Sequence, residues 1–577
     1  MQTLTWWQKA VFYQIYPRSF ADGNGDGVGD FQGIIAHLDY LQDLGIDAIW
    51  LSPHYPSPLA DCGYDVSNYT AVAPEYGTLD DFKRFLDGAH QRGIRVILDL
   101  VLNHTSDQHS WFIESRSSRD NPKRDWYIWR DGRDGGPPNN WLSTFGGSAW
   151  EYDPTTDQYY YHFFLKQQPD LNWRNPEVKQ AMWDVVRFWL DMGVDGFRLD
   201  AVGTLLEDPA LPDHTAELSQ LELYRAFHTA SSEEEREELR RQMKAMFRYQ
   251  HEQPGMHELM QELRSVVDEY PDRMLVGETE EIAYYGDRHN ELHLVFNFPL
   301  MRTERFTPAW VRANQQTRLA ALPPGAWPCN TLGNHDSPRV YSRYGDGVHD
   351  DAIARISLAL MLTLRGTPFL YNGEEIGMTD LVLDDISQFR DTWGIQVYQI
   401  AVNELGLSPA EALAYANRFG RDKCRTPMQW ANVPNAGFSP TGVQTWLPVN
   451  PNYAQGVNVA DQVDNPDSLL NFYRRMLHLR KQTPALVAGD YTPLHEEAED
   501  YLAFLRCSET DGQRCLVVLN MSDRAHTLNF DSSIKIADVL DASMARLLFS
   551  SHVRQGKTDD LHRLTIAPFE IYIGELI

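Results

Sequence analysis

Three carboxylates stand in three separate segments of this 577-residue chain, each beside a short apolar run. They are Asp200 in Gly196-Phe197-Arg198-Leu199-Asp200, Glu278 in Leu275-Val276-Gly277-Glu278, and Asp336 in Gly333-Asn334-His335-Asp336. Each run has the length of a strand, so each acid is expected to project from a strand's C-terminal end. A parallel barrel gathers such ends at one mouth, where barrel enzymes hold their chemistry. Two carboxyl groups across a sugar ring are the equipment for breaking a glycosidic bond, one as nucleophile or base and one as general acid. A single Asp after a strand is more often a helix cap; three acids in such settings make that reading weak. Arg198 lies two residues before Asp200 and faces the same side of a strand. A guanidinium there is expected to lower the Asp200 pKa and keep it ionised. A general acid has the opposite need, a proton held near working pH.

The elements that must position these groups are legible. Runs at 11–16, 48–51, 95–100, 196–199, 274–277, 294–296, 330–332 and 368–371 are strand-like, with helical stretches between them. Phe82, Phe85, Leu86 and Ala89, for example, give 80–91 a helical apolar face, closed by Gly93. Eight strands alternating with helices predict a (β/α)8 TIM barrel. The barrel is expected in two parts, 1–104 and 173–489. An inserted domain at 105–172 is rich in Trp, Tyr, Gly and Pro and too long for an ordinary loop. Further insertions are expected at 203–262 and 375–440. In the first, Ser231 and Ser232 precede Glu234 and Glu235 like a capping box, and Arg240, Arg241 and Lys244 follow, so the charge run there predicts a solvated helix. From 490 to 577, runs at 501–507, 514–520 and 564–574 alternate like half-buried antiparallel strands and predict a C-terminal β-sandwich domain.

Composition excludes several function classes. With 51 basic and 81 acidic residues the formal charge is −30, which disfavours nucleic acid and anionic membrane surfaces as partners. No apolar run is long enough to span a bilayer, and the N-terminus has no basic segment leading into an apolar one. Five scattered cysteines, Cys62, Cys329, Cys424, Cys507 and Cys515, have no metal-like spacing and predict reduced thiols and a cytoplasmic location. Cys507 and Cys515 flank a hairpin and could pair.

Asp99-Leu-Val-Leu-Asn103-His104, Gly196-Phe-Arg198-Leu-Asp200, Gly277-Glu278 and Asn334-His335-Asp336 together resemble the four signature regions of the α-amylase family, glycoside hydrolase family 13. Gln168-Pro-Asp170-Leu-Asn-Trp173 and Arg421-Asp-Lys-Cys-Arg425-Thr-Pro-Met-Gln-Trp430 resemble segments of its oligosaccharide-cleaving α-glucosidases. The resemblance implies Asp200 as nucleophile, Glu278 as acid and then base, and Asp336 as the group that binds and distorts the −1 sugar. It implies that His104 and His335 donate hydrogen bonds to that sugar and that Asp61 and Tyr64 floor its pocket. Arg421 would pair with Asp61 and close the pocket, which suits an enzyme acting on chain ends. Phe145 and Phe164 would line it. Ala201 stands where a valine accompanies α-1,6 and a threonine α-1,4 cleavage in the resembling enzymes, and it fits neither. The implied activity is that of a retaining exo-acting α-glucosidase with transglucosylation, acting on small oligosaccharides. An isomerase of the trehalose-synthase or sucrose-isomerase kind would use the same trio. Transporter-associated heavy chains share the fold, carry a membrane helix and have lost catalytic acids, and this chain shows neither feature. Oligomeric state is not legible.

Asp22-Gly-Asn24-Gly-Asp26-Gly-Val28-Gly-Asp30 is a separate group. Alternating oxygens on a glycine-rich loop suit a hard cation. Gly33 stands where an EF-hand has its bidentate Glu, and no helix precedes the loop, so an EF-hand is excluded. The loop resembles the calcium or magnesium site of family α-glucosidases, which implies Asp22, Asn24, Asp26, Asp30 and the Val28 carbonyl as ligands of a structural ion, and no organic cofactor.

Overall fold

The computed structural model describes residues 4–510, 512–530 and 543–577. The remaining residues of the expected first and last segments lie outside this description. Eight short parallel strands form one sheet: β1 (Phe12–Ile15), β2 (Ala48–Leu51), β3 (Arg95–Leu100), β4 (Gly196–Leu199), β5 (Met274–Gly277), β6 (Leu294–Val295), β7 (Cys329–Thr331) and β8 (Thr367–Tyr371). Their order is β7-β8-β1-β2-β3-β4-β5-β6, and a parallel bridge from Phe296 to Cys329 closes the ring. This is the TIM barrel, with each strand within one residue of its expected run.

Strand alternation divides the apolar residues into two layers. Phe12, Trp50, Ile97, Met274 and Phe369 belong to a cluster that fills the barrel. Tyr13, Ile49, Leu98, Phe197 and Leu275 belong to the one that meets the helices outside. The plug is aromatic at its centre: Phe12 stacks on Phe369 with centroids 4.3 Å apart, and Phe296 meets Phe369 edge-on at 5.0 Å. Two residues further up the inward rows the side chains turn polar, to Gln14, Asp99 and Arg198, all buried. The strands thus end in a polar floor above a dry plug.

Local signals set the helices. Thr78 and Asp81 form a reciprocal cap on the helix Leu79–Gln91. Asn175 caps Pro176–Asp191, whose first residue is proline, preset for a first turn. The 105–172 insertion holds a three-stranded antiparallel sheet in the order Trp129–Arg130, Gln158–Tyr161, Trp150–Asp153. In the 203–262 insertion Ser232 and Glu235 form the capping box of the helix Glu233–Met246. In the 375–440 insertion the helices Thr392–Asn403 and Pro409–Phe419 pack together.

The C-terminal region is two antiparallel sheets over a shared apolar cluster, a sandwich. The expected strand at 564–574 is two strands. Leu564–Ile566 pairs with His526–Leu528 in one sheet, and Ile571–Leu576 pairs with Arg514–Asn520 in the other. Pro568 lacks an amide donor and Phe569 has φ 52, so the run cannot stay extended between them. Cys507 and Cys515 lie on neighbouring strands one register step apart, Arg506 facing Cys515 and Cys507 facing Arg514. The pairing considered for them is therefore not made, and all five cysteines are free thiols. Among the described residues no helix is long and apolar enough to cross a membrane.

Trp189 ties the helix layer to the barrel. It is fully buried, packs edge-on to Phe82 at 5.0 Å and donates its Nε1–H to the Tyr69 carbonyl at 2.8 Å. Trp189→Ala should cost roughly 3–5 kcal/mol of stability through the cavity it leaves. A thermal unfolding midpoint unchanged from wild type would contradict this packing.

Candidate active site

The site is built on cross-strand register. Asp99 faces Arg198 across β3 and β4, and Leu199 faces Gly277 across β4 and β5. Asp200 and Glu278 are the next residues on adjacent strands, which lie roughly 4.8 Å apart. The Arg198 guanidinium binds all three acids. Nη1 donates to Asp99 Oδ1 at 2.7 Å and to Asp200 Oδ1 at 2.6 Å, and Nη2 lies 2.9 Å from Glu278 Oε2. One buried cation bridging both carboxyls draws them together, the sense of arrangement that retention uses, with about 5–5.5 Å between carboxyls against the wider spacing of inversion.

The two acids differ in charge state. Burial pushes Glu278 up to about 8, against the pull of Arg198, with Asp200 and Asp336 adding to the rise. Burial also raises Asp200, to about 6, with Arg198 opposing. Arg198 was expected to bring Asp200 below its ordinary value. It limits the rise instead, because desolvation of a carboxylate on the barrel floor outweighs one shared guanidinium. At neutral pH Asp200 is ionised and Glu278 protonated.

Asp336 sits among other cations. Arg425 Nη2 contacts its Oδ1 at 2.5 Å and Arg421 Nη1 lies at 3.5 Å. Burial opposes its ionisation, but His335, Arg425 and Arg421 together hold it well below the usual carboxylate range. His335 itself is pushed down to about 3 by burial and is neutral, so the two arginines carry the effect. Gln14 Nε2 donates to His335 Nδ1 at 2.7 Å. That leaves the proton on Nε2, which faces Tyr64 Oη at 2.6 Å, and Tyr64 donates to Asp99 Oδ2 at 3.0 Å. His104, neutral because burial lowers it to about 4, places Nε2 at 3.0 Å from Gln168 Nε2 and 3.1 Å from the Tyr64 carbonyl. Both imidazoles, expected to donate to sugar, are engaged by protein partners in this structure.

One wall of the pocket is an ion-pair chain. Arg421 Nη2 donates to Asp61 Oδ1 and to Asp391 Oδ1, each at 2.6 Å. Gln168 Nε2 donates to the other Asp61 oxygen at 3.1 Å. Phe145 lies under the Arg421 guanidinium at 5.6 Å and against Phe164 at 5.9 Å; Phe164 in turn meets His104 at 5.1 Å. Asp61, Tyr64, His104, Phe145, Phe164, Arg198, His335 and Arg421 therefore form one connected cluster with the three acids. Ala201 joins through its backbone: its N–H donates to Glu278 Oε2 at 2.9 Å from a left-handed conformation, φ 43, ψ 51. Such a conformation costs a non-glycine residue about 1–2 kcal/mol.

Sequence reasoning left out Asp391, Asp99, Gln168, Arg425 and Gln14. Asp99, Gln168 and Arg425 stand inside the motifs quoted above. Asp391 has only the signal of a helix cap, which it also is, accepting from Trp393 N and Gly394 N.

The Asp22–Asp30 loop lies apart from this cluster. Asp22 accepts from Gly25 N and Gly27 N, and Asp30 from Gly23 N, Asn24 N and Gly33 N. Asn24 Oδ1 and Asp26 Oδ1 accept from Asp26 N and Val28 N. Among the described residues no three His, Cys, Asp or Glu side chains are gathered as ready-made metal ligands. The donor set is all oxygen, the chemistry a hard cation takes. The loop also clamps the chain after β1 to the segment that follows Arg425. Trp446 N donates to the Gly27 carbonyl at 3.0 Å. Gly27 has φ +93, and a Cβ there would meet the Gln444 carbonyl oxygen at 2.1 Å.

Comparison with known proteins agrees with this geometry. Residues 14–489 match the model of the α-amylase catalytic domain. The chain is 40% identical over 590 residues to an oligo-1,6-glucosidase of Parageobacillus thermoglucosidasius, covering 99% of each chain. It is 43% identical over 531 residues to a probable α-glucosidase of Rhizobium meliloti (strain 1021), covering 90% of each. Among solved structures, trehalulose synthase MutB from Pseudomonas mesoacidophila MX-45 matches with TM-score 0.86 at 38% identity over 100% of both chains. A mutant isomaltulose synthase from Erwinia rhapontici NX5 in complex with its natural substrate sucrose matches with TM-score 0.85 at 37% identity, again over 100% of both. A strand-end trio whose nucleophile and acid candidates share one buried arginine, on a barrel that matches this family across 14–489, makes the chain a glycoside hydrolase of the α-amylase family, glycoside hydrolase family 13.

Proposed function

We propose that the protein is a retaining, exo-acting α-glucosidase. It releases glucose from the non-reducing ends of short α-glucosides through a covalent glucosyl-enzyme, with transglucosylation when a sugar replaces water as acceptor. The observation that carries this reading is the Asp61–Arg421–Asp391 chain, which walls the pocket beside Asp336 and closes it behind the reacting ring, so that this ring is a terminal glucose. Ionised Asp200 attacks the anomeric carbon while protonated Glu278 donates to the departing oxygen. Glu278, then a base, takes a proton from water as the intermediate is hydrolysed. The oxocarbenium-like transition state is positive, and carboxylates outnumber guanidiniums around it. The names of the sequence relatives make α-1,6-linked oligosaccharides the first substrates to assay. The solved relatives named as trehalulose and isomaltulose synthases give an isomerase reading the same trio. The two readings part on whether glucose or a rearranged disaccharide leaves the pocket.

The remaining points of the proposal rest on composition and donor chemistry. Five free thiols support a cytoplasmic setting. The net charge of −30 speaks against nucleic acid as a partner. Calcium, or magnesium, would be held by Asp22, Asn24, Asp26, Asp30 and the Val28 carbonyl, where it would brace the clamp to Trp446 and take no part in catalysis.

Incubation with isomaltose, maltoheptaose and soluble starch tests the main reading. Glucose should appear first, as the α-anomer by NMR, from both oligosaccharides, with starch barely touched. Initial β-glucose, or mixed oligosaccharides from starch, would overturn it.

The pH profile of kcat/KM should be a bell. Below about 6 the Asp99–Asp200 pair takes up a proton and the nucleophile is lost; above about 8 Glu278 loses the proton it must donate. With a neutral glucoside the two limbs should fall near those values, and activity undiminished at pH 10 would remove Glu278 from the acid role.

An ion bound only by the folded protein adds roughly 2.7 kcal/mol of stability at a hundredfold excess over its Kd. Chelation or Asp26→Ala should lower the unfolding midpoint and leave kcat near wild type below it. Elemental analysis without calcium or magnesium, together with no thermal response to either, would sink the metal assignment.

A further inference from the structure

A cavity of about 1000 Å³ opens among the segments that follow the barrel strands at their C-terminal ends. Four segments build it: the 203–262 insertion, the stretch after β6, the stretch after β7, and the helices Thr392–Asn403 and Pro409–Phe419 of the 375–440 insertion. One ion pair and one step of sequence tie its wall to the catalytic strand ends. Arg302 on its wall pairs with Glu280, two residues beyond the acid Glu278, at 2.5 Å. Pro338, also on the wall, is two residues beyond Asp336. Trp393 links it to the pocket, meeting Phe145 at 5.6 Å.

The charge of this lining is opposite to that of the protein. Six arginines face the cavity, Arg236, Arg240, Arg302, Arg305, Arg343 and Arg418, against one acid, Glu304. The chain as a whole carries −30, so acids to neutralise the arginines were plentiful. Arg302 and Arg240 do have partners, Glu280 and Glu237. Arg343 donates to the Met301 carbonyl. Arg305 and Arg418, both exposed, have no acidic partner among the described residues. Like charges collected in a concavity with apolar walls focus a positive potential. Guanidinium forks match carboxylate and phosphate oxygens two at a time. The aromatic wall of Trp310, Trp393 and Phe419 offers a face to a sugar ring.

We infer that this cavity is an anion site, and that the preferred substrates are short α-glucosides whose aglycone carries a carboxylate or phosphate group. This rests on the glucosidase reading above, with the neutral glucose in the walled pocket and the charged part beyond the scissile bond. The arginines act by binding; the chemistry of Asp200 and Glu278 is unchanged.

The test uses the full-length protein and three disaccharides that differ only at C6 of the reducing ring: maltose, its uronate and its 6-phosphate, with isomaltose as a neutral control. At low salt at least one charged compound should exceed maltose in kcat/KM by about tenfold, an advantage that shrinks toward one near 0.5 M salt as screening shortens the field. Which of the two gains more identifies carboxylate or phosphate as the natural group. Within each variant, Arg305→Gln and Arg418→Gln should cut the charged-to-neutral ratio by about threefold or more. A ratio of one or less for both charged compounds overturns the inference, and cleavage of maltose or isomaltose by the same preparation leaves the glucosidase reading standing. No glucose from any of the four overturns both.

Discussion

The catalytic centre depends on one buried guanidinium. Arg198 is 1% exposed and holds Asp99, Asp200 and Glu278 from a single strand position. Its placement follows from register: β3 brings Asp99 opposite it, and β4 and β5 end side by side at Asp200 and Glu278. Removing one partner from a buried ion pair leaves an uncompensated charge, a loss of roughly 3–5 kcal/mol. Three acids share this cation, so the plug of Phe12, Phe369 and Phe296 below it also acts on the chemistry. It excludes water from beneath the acids and makes burial the leading influence on each carboxyl group.

Unequal use of that cation separates the roles of the two acids. Asp200 takes an Nη1 hydrogen bond of 2.6 Å and stays ionised at neutral pH, whereas Glu278 is raised by burial to about 8 and keeps its proton. The wider balance favours positive charge at the anomeric carbon. Asp99, Asp200, Asp336, Asp61 and Asp391 face Arg198, Arg421 and Arg425, five carboxylates to three guanidiniums. Fixed charges of this kind are already oriented before the oxocarbenium-like state forms. A neutral His335, oriented by Gln14 and linked through Tyr64 to Asp99, adds order without adding a competing cation.

The barrel and the trio were legible in the sequence because both are local. A strand of four to six apolar residues ending in Asp or Glu is readable from alternation, and the family motifs are contiguous. Features made by distant residues were not, apart from the Arg421–Asp61 pair, which came through the family resemblance. Asp391 looks like any helix cap; its pairing with Arg421 is decided by a fold that brings both to the same pocket wall. The sign of the Asp200 shift was misjudged because Arg198 is visible in sequence and desolvation is not. The single strand expected at 564–574 failed at Pro568 and Phe569, where the backbone turns left-handed and the chain crosses from one sheet to the other. The metal loop was legible as a pattern of oxygens, but the same pattern also forms a self-bonded turn.

The mouth of the barrel shows how specificity can diverge while the chemistry stays fixed. The strand ends determine what happens to the terminal glucose, and every residue that does so lies on the barrel, on the 105–172 insertion or on the 375–440 insertion. The leaving-group side is built largely from other segments: the 203–262 helices and the loops after β6 and β7. Its arginines come from four places in the chain, so no short motif encodes the basic lining and composition conceals it behind a net charge of −30. An acidic surface with a basic cavity beside an acidic catalytic floor sorts charge over a short distance. A ligand that is neutral at one end and anionic at the other can satisfy both halves, because its anionic end is kept away from Asp200 and Asp336 while its glucose enters between them.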